Sequence, residues 1–245
     1  MKVTNCTWEL ANLGRRTVEI LIEPTDAPDP TALAQATKGY EYIVVKVPAG
    51  RVDYNIMLAK EQYFLIETQI SLTQNISNFD FDDRLVRCVS RNLELPILES
   101  DHDFYAALEH VTPGMFVADR IALDPHFSLE DSCRRYKNWF TSAHNDRSAT
   151  VIGYKVNGTL VGMGMHRLVG DVLYGLLGGT FADTPMGLGL LTVCAGQLFV
   201  RANNLPVKTI ETNISANNTQ VAELYSYCHY TFRAYTQVYV KHVTI

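Results

Sequence analysis

The sequence predicts an α/β (α+β) fold: a mixed, largely antiparallel sheet with flanking helices, preceded by a smaller amino-terminal α/β module. Three observations predict it. Asn157-Gly158, the strongest two-residue hairpin signal in the chain, joins two apolar runs. Segments 172–180 and 207–214 read as strands and bracket a glycine loop and an apolar-striped helix. Residues 42–73 read as strand, helix, strand ahead of them.

Taken in order, residues 42–47 give the first strand, Pro48-Ala49-Gly50 a turn, about 52–60 a helix and 63–72 a returning strand. The piece 68–73 (Thr-Gln-Ile-Ser-Leu-Thr) is similar to 236–241 (Thr-Gln-Val-Tyr-Val-Lys), and both follow a helix whose last turn holds a leucine, Leu58 or Leu224. Six residues leave two readings, an internal strand, helix, strand echo or chance. Residues 75–113 lack periodicity and are rich in Asp, Glu and Asn, so they are expected to link an amino-terminal module (1–100) to a carboxy-terminal domain (101–245). Ser128 and Asp131 form a capping signature before the stripe Leu129, Cys133, Tyr136, Phe140, which predicts a helix from 129 to about 142.

Strands 149–156 and 159–167 then meet at the hairpin, and 171–180 continues the antiparallel meander. A helical crossover makes 207–214 parallel to its predecessor. In 207–214, Ile210, Thr212 and Ile214 alternate with Glu211 and Asn213 at the period of a half-buried strand. Parallel neighbours whose ends diverge leave a slot between them.

Two stretches carry chemistry. Thr184-Pro185-Met186-Gly187-Leu188-Gly189 follows the glycine-broken strand and precedes the stripe Leu191, Cys194, Leu198. Its glycines admit close backbone approach, Thr184 suits a helix cap and Pro185 a first helical position, so the loop reads as a helix N-terminus open to an anion. Further on, Val221, Leu224, Tyr225 and Cys228 share a helical face, which turns Tyr225 toward the sheet. An ordinary core tyrosine, and for Asn218 a plain helix cap, are the alternative readings.

This order of elements resembles the second half of the GNAT superfamily of acyl-CoA-dependent N-acyltransferases. The family's Gln/Arg-x-x-Gly-x-Gly/Ala loop falls on Thr184, Gly187 and Gly189. Its Asn-x-x-Ala-x-x-Leu-Tyr then Gly-Phe pattern falls on Asn218, Val221, Leu224, Tyr225, His229 and Tyr230. Thr184 replaces a cationic or amide residue, Pro185 brings no N–H, and His229 replaces a helix-ending glycine. Within the superfamily the chain is most similar to the sugar-nucleotide branch typified by TDP-fucosamine acetyltransferase. That likeness lies on Trp8 to Gly14 and on Phe116, Asp119, Arg120, Asp124, Phe127, Tyr136 and Trp139.

The resemblance implies acetyl-CoA as co-substrate, with its pantetheine arm in the slot and contacts from Gly178, Gly179, Met186, Gly187, Leu188, Gly189 and Asn218. It implies a nucleotide-linked amino sugar as acceptor. The chemistry needs few side chains. Backbone N–H groups of Gly178, Gly179 or Thr180 can hold an oxyanion, and a phenol can protonate a departing thiolate, which makes Tyr225 the expected general acid. Glu211 is the nearest carboxylate in register for a base, or simply a solvated strand residue. Tyr136 and Trp139 offer an aromatic wall for an acceptor, unless Tyr136 is core. Two further readings stay open: acylation of another small amine or a peptide, and a silent acyl-CoA-binding module, motivated by Thr184 and Pro185.

Composition narrows the class. At 245 residues and 47% hydrophobic, the chain can bury one large core or two small ones. A net charge of −5 argues against a nucleic-acid partner. No run approaches the roughly 18 apolar residues of a membrane helix, and the start MKVTNCTWEL lacks a signal peptide's apolar stretch, so a cytoplasmic location is expected. Cys6, Cys88, Cys133, Cys194 and Cys228 are scattered, as reduced thiols are. The seven histidines show no metal-ligand spacing, so no metal is expected. A homodimer stays open.

Overall fold

A computed structural model describes residues 1–243. The first part alternates β1 (Lys2–Asn5), α1 (Trp8–Leu13), β2 (Thr17–Leu21), α2 (Pro30–Ala36), β3 (Tyr42–Pro48), α3 (Val52–Lys60) and β4 (Phe64–Asn75). Then come α4 (Arg84–Val89), β5 (Leu93–Glu94), α5 (Asp101–Glu109), α6 (Arg120–Leu123) and α7 (Leu129–Asp146). The remainder is β6 (Thr150–Val156), β7 (Thr159–Val169), β8 (Val172–Thr180), α8 (Leu191–Ala202), β9 (Thr209–Ser215), α9 (Thr219–Tyr227) and β10 (Thr231–His242).

All ten strands form one mixed sheet in the order β1-β2-β3-β10-β4-β9-β8-β7-β6-β5. Two pairs are parallel, β2 with β3 across α2 and β8 with β9 across α8; the others are antiparallel. The hairpin forms as the sequence predicts: Asn157 and Gly158 both have positive φ, 53° and 80°, the geometry of a type I′ turn. Ser128 and Asp131 make a reciprocal capping box at the start of α7. His229 takes φ 61°, the left-handed conformation for which glycine is the low-cost choice.

The central order is the unexpected feature. β10, the last strand, lies between β3 and β4, while β4 lies between β10 and β9. The sheet is therefore continuous through both expected modules. The similar pieces 68–73 and 236–241 belong to these two adjacent antiparallel strands.

Residues 75–113 are not a linker. Phe79, Val86 and Val89 enter the core under α8, and Phe104, Ala107 and Val111 pack below α7. The six-residue α4 and nine-residue α5 are too short to display a clear helical repeat, and their polar residues mask the apolar ones in the sequence. A local signal existed: the Ser100 side chain caps α5 by accepting from Asp103 N–H at 3.1 Å.

Helices cover both faces of the sheet. Ile70 and Leu72 of β4 share a core with α8 residues Cys194 and Phe199 and with Tyr225. On the other face α5 and α7 cover Val151, Met163 and Met165. No helix among the described residues is long and apolar enough to cross a membrane.

Candidate active site

β8 and β9 pair only from Val172 with Thr209 to Gly175 with Thr212. β8 nevertheless continues to Thr180 along β7, and β9 to Ser215 along β4. The two strands are held by their outer neighbours while their facing edges part. The Thr212 hydroxyl marks the point of parting, donating to the Gly175 carbonyl at 2.9 Å.

The hydrogen-bond phase of β8 decides which amides face the gap. Phe181 N–H donates to Val161 O at 2.8 Å, and Gly162 stands opposite Thr180. Alternation then directs the Gly179 N–H into the β7 ladder and the Gly178 and Thr180 N–H groups into the gap. Of the three expected oxyanion donors, Gly179 is thus engaged elsewhere. Its hydrogen atom faces another element too: a Cβ there would sit 3.1 Å from Met115 Cε.

Tyr225 stands on α9 with its phenol beside Thr212. The ring is buried and meets Tyr230 edge-on at 4.7 Å. Burial pushes its pKa up to about 12 while the Thr212 hydroxyl pulls it down, so it is a protonated donor at neutral pH. A second phenol was not anticipated. Tyr154 lies under the strands, and burial raises its pKa further. A Cβ on Gly164 would lie within bonding range of its hydroxyl and one on Gly178 only 3.0 Å away. The run Gly162, Gly164 and Gly178 is therefore the sequence trace of a ring laid across two strands.

The glycine loop differs from its expected form. Thr184 does not cap a helix: its hydroxyl donates to Val161 O at 2.6 Å. Pro185 is not the first helical residue, since a 3₁₀ turn begins at Leu188 and α8 follows from Leu191. The Thr184 hydroxyl had a strand carbonyl in reach, a partner that sequence spacing cannot show. Gly187 has φ 93°, and a Cβ at Gly187 or Gly189 would meet no atom within 4 Å, so the loop surface is open. The Met186 side chain is fully exposed. Asn218 caps α9, its Oδ1 accepting from Val221 N–H at 3.3 Å, at the end of the β9 wall.

On the sheet's opposite face a groove of about 410 Å³ runs past the same point of parting. Tyr174, Glu211, Asn213, Ser71 and Arg233 line it. Arg233 is the bulged residue of β10, between Phe232 and Ala234 in the register, and bulges commonly re-aim a side chain. Further along β4, Glu67 is buried and accepts from Gln69 Nε2 at 3.0 Å.

The residues of the sugar-nucleotide pattern gather elsewhere, around α1, α6 and α7. Glu9 is 0% exposed and meets Arg120 at 3.0 Å and Arg135 at 2.8 Å. Tyr136 is buried against Phe116, at 4.3 Å between ring centres, so it offers no free face, whereas Trp139 is 39% exposed.

No family model matches the chain, and no curated protein sequence is similar to it. Solved structures are similar. A functionally unknown conserved protein from Staphylococcus epidermidis ATCC 12228 superposes with TM-score 0.65 at 11% identity, over 94% of this chain and 85% of that one. A tandem GNAT protein from the clavulanic acid biosynthesis pathway gives 0.59 at 12%, over 94% and 76%. A GCN5-related glucosamine N-acetyltransferase region of a fungal multi-domain GH3 β-N-acetylglucosaminidase gives 0.63 at 8%, over 98% of this chain and 31% of that one. The fold is that of the GNAT N-acetyltransferases.

Proposed function

We propose that this chain is an acyl-CoA-dependent N-acyltransferase that moves an acetyl or other short acyl group to a primary amine. One observation carries the reading: strands β8 and β9 part at the Thr212–Gly175 hydrogen bond, and the protonated phenol of Tyr225 stands beside that point. A pantetheine arm fits such a gap as an extra strand-like partner for the Gly178 and Thr180 amides. The open surface at Gly187 and Gly189 leaves room for phosphates, and the Asn218 side-chain NH₂ is free of its cap for an amide carbonyl.

In this reading the Gly178 and Thr180 N–H groups stabilise the oxyanion that develops as an amine adds to the thioester carbonyl. The C–S bond then breaks. A phenol at about 12 is a weaker acid than a thiol at about 8.5, so full proton transfer from Tyr225 is uphill. Tyr225 instead donates a hydrogen bond to the charge building on sulfur, and the proton that the amine sheds through Glu211 or water ends on the thiolate. Products are an amide and free coenzyme A.

The acceptor we infer is a nucleotide-linked amino sugar. The sequence resemblance supports it, as does a groove with a carboxylate for an ammonium, Glu211, and a cation for phosphates, Arg233. A fold neighbour that is a glucosamine N-acetyltransferase region supplies a precedent for an amino-sugar acceptor. The test incubates the full chain with acetyl-CoA and a panel of TDP- and UDP-linked amino sugars, polyamines and peptides, and measures free thiol. Amino-sugar nucleotides should release coenzyme A, and Arg233→Ala should raise their KM while leaving that of acetyl-CoA nearly unchanged. Release with simple amines alone would move the acceptor to another class. Acetyl-CoA binding with no release for any amine would make the chain a silent binding module.

A further inference from the structure

Asp124, His126 and His242 come from two distant parts of the chain, yet their ligand atoms all lie within 4.8 Å of one another. His126 Nδ1 is 3.0 Å from Asp124 Oδ1, and His242 Nε2 is 2.8 Å from Asp124 Oδ2. Adjacent donors around a tetrahedral zinc ion, with bonds of about 2.0–2.1 Å, stand roughly 3.3 Å apart. Each histidine–carboxylate distance is within about 0.5 Å of that spacing, through opposite oxygens of one carboxylate, and all three ligand atoms fall within 4.8 Å. Sequence spacing hid it, because Asp124-Pro125-His126 supplies two donors and the third waits near the end of β10.

The surroundings favour an ion. Asp124 is buried and its carboxylate is oriented by the His126 backbone N–H at 3.0 Å, a supporting contact of the kind that fixes metal ligands. The floor is aromatic: Tyr42 and Phe127 lie 4.9 and 5.5 Å from the His242 ring. The two imidazoles stack at 3.9 Å between ring centres with 24° between their planes, so a shared ion requires the exposed His126 ring to turn toward it. His126 keeps 58% of its side chain in solvent, leaving one side open for a water in a fourth position.

We propose that Asp124, His126 and His242 form a zinc site, with two imidazoles, one carboxylate and a water, that pins the end of β10 to the loop after α6. The site lies outside the acyl-transfer groove and is independent of the acyltransferase reading. Imidazole and carboxylate together suit Zn²⁺, and the donor set is poor for Mg²⁺, which demands an octahedron of oxygens.

The experiment strips the full chain with a chelator, removes the chelator and titrates Zn²⁺ alone, with bound metal measured by atomic spectroscopy and calorimetry. One equivalent is expected, together with a rise in Tm, and Co²⁺ in its place should show the visible bands of a low-coordinate N,O site. His126→Ala, at a side chain 58% exposed, should abolish both, as should Asp124→Asn. His102→Ala, at an exposed histidine elsewhere, should change neither. Absence of stoichiometric zinc, or equal zinc binding by the His126→Ala and His102→Ala variants, overturns the site and leaves a pair of imidazole–carboxylate hydrogen bonds.

Discussion

Gln69 and Thr236 face each other across the two central strands, β4 and β10, and their outer partners correspond: Gln69 stands opposite Ser215 of β9, Thr236 opposite Pro48 of β3. One step along, Ile70 faces Ile214 and Gln237 faces Val47. The chain therefore contains two strand-crossover-strand-helix-strand units, β2 to β4 and β8 to β10, whose strands are arranged with pseudo-two-fold symmetry about the middle of the sheet. Each unit inserts its last strand into the other. The units have diverged at the slot. In the amino-terminal one, Tyr54 on α3 donates its hydroxyl to Ala27 O at 2.8 Å, and Arg51 donates to the Glu23, Pro24 and Asp26 carbonyls. Its own side chains tie down the loop that in the second unit is open.

This exchange predicts one cooperative unfolding transition. β4 shares a core with α8 and α9, and the Gln74 side chain bonds the Cys228 carbonyl and meets Gln197. Trp8 on α1 and Trp139 on α7 lie on helices that pack against each other, so their fluorescence reports on that region while circular dichroism reports on the whole sheet. Trp8→Phe and Trp139→Phe, each leaving one reporter, should give the same urea midpoint as far-ultraviolet circular dichroism. Two separate midpoints would show that the units fold independently. By the same logic residues 76–245 alone lack the strand between β9 and β10 and should not fold.

Tyr225→Phe should retain acetyl-CoA affinity and lose turnover by about 100- to 1,000-fold, the range for one lost hydrogen-bond donor to developing charge. The hydroxyl touches Thr212 rather than filling the core, so Tm should change little. Steady-state kinetics with a thermal-shift titration separates the two effects. Full activity in the variant would assign the donor to another group, with Tyr154 the next to test.

The glycine loop is best probed at Gly189. Gly187 has φ 93°, so Gly187→Val strains the backbone whatever the loop binds. Gly189 has no such constraint and no atom within 4 Å of an added Cβ, so Gly189→Val should fold normally. If phosphates lie there, acetyl-CoA at 100 times its dissociation constant stabilises the native chain by about 2.7 kcal/mol, and Gly189→Val loses most of that shift. An undiminished shift would remove the loop from the binding site.

Residues that act through local repeats were legible in the sequence. The Asn157-Gly158 hairpin, the Ser128 cap, the β8 and β9 crossover and the inward face of Tyr225 all follow from period and turn chemistry within a dozen positions. What was not legible depends on partners far along the chain. β10 beside β3, Tyr154 beneath Gly164, Arg233 raised by a bulge and His242 brought to Asp124 have no local signature. Thr184 shows the boundary between the two: its residue type suits a cap, yet Val161 O captures its hydroxyl.

Two buried glutamates should respond to pH in opposite directions. Burial alone would raise the pKa of Glu9, but Arg135 and Arg120 outweigh it and hold the carboxyl below its ordinary 4.5. Its stabilising contribution is thus present above about 4.5 and is lost as pH falls through the depressed value. Burial raises Glu67, and Arg120 only partly offsets this. Glu67 therefore favours its protonated form, and its contribution, present below 4.5, is lost as pH rises through the elevated value. Glu9→Gln should cost about 3–5 kcal/mol at pH 7, because Arg120 is left buried without its carboxylate, while Arg135 keeps Asp119 at 3.6 Å. The deficit should shrink below pH 4.5. Glu67→Gln should be at least as stable as the parent at pH 7, with the advantage fading on acidification. Urea midpoints of the three proteins at pH 4 to 7.5 decide the matter: a Glu67→Gln deficit that grows with pH would mean that Glu67 is ionised and paired in the native chain.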